Sequence, residues 1–306
     1  MSTIRKRKIK IKWKNFLSFL LFIILLLFAL IELVICIKKV VNSPKKEKVI
    51  IVEKKKNSLK EEKLNKLDNI NKEIDYFNIK YIDRYISYKE KNTEIPNKQI
   101  IKNVNMNLDL EQYKDIKQAK NLNTEKILVN KYYYLDENYV PDNLELINTK
   151  YALSNMKLVN VAKNAFAEMA SDAKKEKLNI VAMSTYRSYS YQVNLYNKYV
   201  KTDGKDAADT YSGRPGHSEH QTGLAVDVYN TKENYTNFEK TKEFDWMQEH
   251  AHEYGFILRF PKDKENETGY VYESWHYRYV GKDAAKYIKE HDISFEEYYA
   301  TIIKDW

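Results

Sequence analysis

Phe16 to Ile37 reads FLSFLLFIILLLFALIELVICI, 22 residues carrying a single charge, Glu32. A helix rises about 1.5 Å per residue, so about 20 apolar residues cross the hydrocarbon core of a bilayer. The run is therefore expected to form a transmembrane helix, and whatever follows it must fold as a separate body in water. A cleaved signal peptide has an apolar core of about 7–15 residues and a small-x-small cleavage site. This run is longer, and no Ala-x-Ala follows it. Cys36 is preceded by Val34 and Ile35, where a lipidation site would carry small residues, so it reads as an ordinary residue of the span. Glu32 lies one or two turns from the end of the run, close enough for its carboxylate to reach water.

The formal charge of +9 belongs to the flanks of that run. Residues 1–14 carry seven Lys or Arg and no acid, and residues 38–63 carry ten Lys and four Glu, which leaves residues 64–306 at −3. A basic balance confined to membrane flanks argues against a nucleic-acid partner and for a membrane-flanking tail and linker. Positive charge favours the cytoplasmic side, so the N-terminus is expected inside and the bulk of the chain outside. The expected organisation is a cytoplasmic tail (1–15), a transmembrane helix (16–37), a Lys/Glu/Asn-rich stalk (38–81) and a folded domain (82–306). Cys36 is the single cysteine of the chain, so that domain has no disulfide and must be held by its core or by a bound ion.

Beyond the stalk, patterns of two periods alternate. Met156, Val159, Ala162, Phe166 and Met169 recur near every 3.6 residues, which predicts an amphipathic helix. ILVNKYYYLDENYVP (127–141) reads as a strand and then a turn into Pro141, and LNIVAMSTYRS (178–188), LAVDVYN (224–230) and GYVYESWHYRYVG (269–281) read as strands. SYQVNLYNKYVKT reads as a helix, KEFDWMQEHAHEYGF as a helix ended by Gly255, and the segment after Gly281 as closing helices. Helices and strands mix without a βαβ rhythm, which indicates an α+β fold. The 26 tyrosines read as compositional bias and core packing.

The chain has only seven glycines and five prolines, yet PGHSEHQTGLAVDVYN (215–230) concentrates Pro, two Gly, two His and an Asp. His220 falls on a turn before a strand, and Asp227 falls within that strand on the same face as Ala225. An acid in an apolar strand is costly unless it is paired or bound to an ion. Catalytic zinc takes three protein ligands from His, Asp, Glu and Cys and keeps one position for water. ESWH supplies a further candidate, His276, with Glu273 three residues before it as a carboxylate to take a proton from that water.

SEHQTGLAVD matches a Ser-x-His-x-x-Gly-x-Ala-x-Asp pattern and ESWH a Glu-x-Trp-His pattern. With STYRSYSYQ, YGFILRFP and GYVYESWHYRYVG, these segments resemble the VanY-type zinc D,D-carboxypeptidases and the related L,D-carboxypeptidases of cell-wall metabolism, over roughly 125–285. The resemblance implies a small antiparallel sheet flanked by helices, of the Hedgehog/D,D-peptidase kind. It implies one Zn²⁺ held by His220, Asp227 and His276, with Glu273 as general base and Arg187 stabilising the oxyanion. Ser218, Gln192 and Ser188 would hold the substrate's terminal carboxylate, and Trp275 would support the pocket. His217 falls one residue outside the pattern and reads as a loop residue. Thr185 stands where the family often has Gly, which puts nothing catalytic in doubt.

The implied activity removes C-terminal D-Ala from peptidoglycan stem peptides outside the cell membrane. D,D-cleavage of a pentapeptide and L,D-cleavage of a tetrapeptide need the same zinc, base and carboxylate pocket; they differ in the pocket walls. Two further readings are a peptidoglycan-binding protein that has lost catalysis, against which the complete ligand set argues, and a cross-link endopeptidase, which a closed carboxylate pocket would disfavour.

Overall fold

The computed structural model of the chain describes residues 13–41 and 74–305. They fall in two bodies. The first is the helix α1 (Trp13–Val41), whose Leu20–Lys39 segment is long and apolar enough to cross a membrane. Lys38 and Lys39 lie in its last turn, where cations favour the negative end of the helix dipole. Most of the expected basic tail, and residues 42–73 of the expected stalk, lie outside the described residues.

In chain order the second body carries α2 (Ile82–Lys91), α3 (Asn97–Asn105), the short strands β1 (Lys117–Gln118), β2 (Tyr133–Tyr134), β3 (Leu144–Leu146) and β4 (Lys157–Val159), then α4 (Asn160–Lys175) and β5 (Val181–Ser184). It continues through α5 (Tyr189–Asp203), α6 (Lys205–Tyr211), β6 (Ala225–Tyr229), α7 (Lys242–His250), β7 (Phe256–Leu258), β8 (His276–Tyr279), α8 (Lys282–His291) and α9 (Phe295–Tyr298). β5, β6, β8 and β7 form a four-stranded antiparallel sheet in that order. This is the α+β arrangement expected, a small sheet among helices.

The sheet is held by side chains at helical and strand spacing. Ala162, Phe166, Met169 and Ala173 of α4 are all fully buried, and Phe166 meets Phe256 of β7 edge-on at 6.1 Å. The alanines let the helix backbone come close, while the larger pair fills the space between layers. Leu224, Val226 and Val228 bury in the same core. Two expected elements are shorter than their sequence patterns. Met156 and Val159 belong before α4: β4 pairs antiparallel with β3, and the Lys157 amide donates to Thr185 Oγ1 at 2.9 Å, so a strand takes the first turn of the expected helix. In 127–141 only Tyr133–Tyr134 is strand, because Asn130 Oδ1 accepts from the Tyr132 and Tyr133 amides and turns the chain. Residues 74–81, placed in the stalk by composition, contribute the buried Tyr76, whose carbonyl accepts from Asn105 Nδ2 at 2.8 Å.

Two glycines explain part of the dense 215–230 run. Gly223 has φ +67° and closes a 3₁₀ turn (Glu219–Thr222); a Cβ there would lie 2.8 Å from Leu144 Cδ2. Gly216 has φ +82°, and a Cβ would lie 2.7 Å from the Leu135 carbonyl oxygen. Only glycine suits a left-handed backbone pressed this closely.

Candidate metal centre and active site

Asp227 on β6 and His276 on β8 are direct cross-strand partners, so their side chains project from one face of the sheet. The 3₁₀ turn before β6 adds His220 to that face. His220 Nδ1 lies 2.7 Å from the Thr185 carbonyl, an acceptor, so Nδ1 carries the hydrogen and Nε2 the lone pair. That lone pair faces Asp227 Oδ2 at 3.3 Å. Burial pushes the His220 imidazolium down to about 4, with the Arg187 charge acting in the same direction, so at neutral pH two electron-rich atoms confront each other. Nε2 has no hydrogen-bond partner among the described residues. Such a pair calls for a cation between its members.

His276 Nδ1 completes the group at 2.9 Å from Asp227 Oδ1. Burial opposes a charge on this ring, but the hydrogen bond to Asp227 and the nearby Glu219 and Glu273 carboxylates outweigh it and raise His276 to about 9. Asp227 is held well below the usual carboxylate range; burial opposes this, and the two histidines overcome it. One ligand atom from each of His220, Asp227 and His276 lies within 4.8 Å of the others, and all three residues are buried. Two imidazoles and one carboxylate on a preformed face are a donor set that suits zinc with a position left for water.

Glu273 precedes β8, its amide donating to the Phe260 carbonyl at 3.1 Å. Its Oε2 lies 3.8 Å from His276 Nδ1. Burial pushes its carboxyl up to about 8, against the pull of His276, a poise suited to taking and returning a proton near neutral pH. The whole group opens into a cleft of about 450 Å³, lined also by Arg187, Ser218 and Trp275. Arg187 Nε is buried without a partner among the described residues. Trp275 meets Tyr235 edge-on at 5.0 Å, forming an aromatic wall.

The VanY family, described as D-alanyl-D-alanine carboxypeptidase, matches residues 155–282. YodJ of Bacillus subtilis (strain 168) is 37% identical over 228 residues, which cover 70% of this chain and 84% of YodJ. This chain belongs to the VanY family. The D-alanyl-D-alanine carboxypeptidase of Enterococcus faecium is 37% identical over 156 residues, covering 50% of this chain and 48% of that relative. Among solved structures, the LdcB LD-carboxypeptidase is 38% identical with a TM-score of 0.55, covering 61% of this chain and 94% of that one. VanYB in complex with D-alanine-D-alanine is 31% identical with a TM-score of 0.50, covering 58% and 98%.

Within this VanY-family site the expected residues separate into two sets. His220, Asp227, His276, Glu273, Arg187, Ser218 and Trp275 all border the cleft. Ser188 and Gln192 do not line it. Ser188 Oγ is the N-cap of α5, accepting from the Tyr191 amide at 3.2 Å. Gln192 is buried and donates from Nε2 to the Gly213 carbonyl at 2.7 Å, so its amide ties down the loop that leads to Ser218. His217 lines the cleft, with Nδ1 2.7 Å from the Asn130 carbonyl. Glu219, whose Oε2 lies 3.6 Å from His276 Nε2, is a functional candidate that the motifs did not single out; it stands between Ser218 and His220, at the unspecified position of the Ser-x-His pattern.

Proposed function

We propose that the chain is a zinc-dependent carboxypeptidase anchored by residues 16–37, with its N-terminus in the cytoplasm and its catalytic body outside, removing C-terminal D-Ala from peptidoglycan stem peptides. The observation that carries this reading is the convergence of the His220 Nε2 lone pair, Asp227 and His276 on one point, with Glu273 beside them. Bound there, Zn²⁺ would polarise the scissile carbonyl and make its water more acidic. Glu273 takes a proton from the attacking water as the water oxygen bonds to the carbonyl carbon. It then gives that proton to the amine nitrogen as the C–N bond breaks. Arg187, cationic and with an Nε that lacks a partner among the described residues, stabilises the developing oxyanion. Ser218, buried at the cleft wall, receives the terminal carboxylate.

The leading reading is D,D-cleavage, supported by the description of the matched family and by the enterococcal relative. L,D-cleavage is supported by LdcB, whose identity and TM-score both exceed those of VanYB. Full-length protein in detergent, given pentapeptide and tetrapeptide muropeptides separately, decides between them by D-alanine release measured by mass. Pentapeptide loss is expected, abolished by a chelator and restored by Zn²⁺. Tetrapeptide loss alone would establish the L,D reading, and loss from neither would end both.

A further inference from the structure

Glu219 follows Ser218 in the 3₁₀ turn and is only 4% exposed. Its Oε1 accepts from Arg259 Nε at 2.8 Å and from Arg278 Nη1 at 2.9 Å. Its Oε2 accepts from neither, and faces His276 Nε2 at 3.6 Å. Both Oε2 and His276 Nε2 are buried, and neither has a hydrogen-bond partner among the described residues. Each can therefore complement the other, a ring N–H facing a carboxylate oxygen. On the opposite edge of the same ring, Nδ1 faces Asp227 and Glu273.

We propose that Glu219 is the positioning residue of the cation site, fixing His276 as the Nε2–H tautomer so that the Nδ1 lone pair points at the ion. A neutral imidazole has one donor and one acceptor nitrogen, so a carboxylate beneath Nε2 decides which edge can bind a cation. The two histidines then present opposite nitrogens. His220 is oriented by a backbone carbonyl and offers Nε2; His276 is oriented by a carboxylate and offers Nδ1. Carboxylate partners of this kind raise a ligand's basicity, and their loss weakens metal binding by about 10–100-fold. Arg259 and Arg278 hold Oε1, so only Oε2 remains for the ring. The Arg259 guanidinium is itself fixed by Glu296, through contacts of 2.8 and 2.6 Å.

This inference rests on the reading of His220, Asp227 and His276 as a zinc site, and the test separates the two. Nitrogen-15 spectra of histidine-labelled full-length protein with Zn²⁺ should show a protonated Nε2 and a metal-shifted Nδ1 for His276, and the reverse for His220. In Glu219→Gln the arginines retain the side-chain oxygen, the amide nitrogen faces His276, and the ring is driven to the wrong tautomer. Zinc affinity by competition with a chromophoric chelator should fall about 10–100-fold. Coordination of His276 through Nε2 in the wild-type protein, or a folded Glu219→Gln that binds zinc like wild type, would overturn the role of Glu219 alone. Wild-type protein that binds no zinc would overturn the site reading as well. The tautomer measurement needs no variant, so it stands even where Glu219→Gln does not fold.

Discussion

Two buried polar clusters meet at the peptide bond between Glu219 and His220, and they are built on opposite plans. Below lie Glu219, Arg259, Arg278 and Glu296, two acids and two bases joined by contacts of 2.6–2.9 Å. Asn130 and the carbonyls of Glu125 and Ile127 take up remaining donors and acceptors. Above lie His220, Asp227, His276 and Glu273, also buried, with lone pairs that face one another and ring nitrogens that lack hydrogen-bond partners among the described residues. Apart from Glu219 Oε2, which faces His276, the lower network meets its own desolvation cost and is left with a structural task. An open one remains costly until something enters it. The comparison marks the upper cluster as the place for chemistry and the lower one as its foundation, although charge and burial alone would rank them the other way.

The largest expected effect lies in the open cluster. Glu273→Gln should lower turnover by about 10²–10⁴-fold, the usual worth of a general base, while metal content and thermal stability hold. Burial already pushes that carboxyl up to about 8, so a neutral amide suits the fold. Activity near the wild-type value would break the contrast at its centre. Next comes the closed cluster: Glu296→Gln leaves Arg259 short of its partner and should cost about 3–5 kcal/mol of stability. Denaturant unfolding measures this, and the zinc affinity of the folded fraction should be unchanged. A stable variant with weakened zinc binding would erase the boundary between the clusters.

The smallest effect tests a cluster of intermediate design. Lys131 is buried over the Tyr270 ring at 4.8 Å and donates to Gln112 Oε1 at 2.8 Å. Burial pushes it down to about 8 from an ordinary 10.5. The folded state therefore penalises its charge below about pH 8, and the penalty fades as the pH rises toward 10.5. Lys131→Met should be about 1 kcal/mol more stable than wild type at pH 7, a figure discounted for solvent screening. The gap should narrow by pH 10 in paired unfolding curves, and a gap that widens would refute the assignment.

The residues proposed as metal ligands and base were legible because their motifs are local: His220 and Asp227 flank Gly223, and Glu273 and His276 flank Trp275. The α+β class was legible from periodicity. The closed cluster was not. Its charges are spread from Glu219 to Glu296, and in sequence each resembles a surface residue; only the sheet brings Arg259 and Arg278 onto one carboxylate. Ser188 and Gln192 show the complementary difficulty. The family resemblance offered both as residues holding the terminal carboxylate; α5 begins at Tyr189, so Ser188 caps that helix and Gln192 donates to a loop carbonyl. The strand patterns that open 127–141 and fill 269–281 outran the strands themselves: the chain turns at Asn130, whose Oδ1 accepts from the Tyr132 and Tyr133 amides, and at Glu273, whose carbonyl accepts from the His276 amide at 3.4 Å.

Asp227 and His276 stand directly opposite each other on neighbouring strands, 49 positions apart in the chain. A slip of either strand by one residue would send one ligand to the far face. An ion that needs both could bind only the correctly threaded sheet, so metal uptake at this site would double as an inspection of folding: it would stabilise the right pairing by mass action and pass over the wrong one.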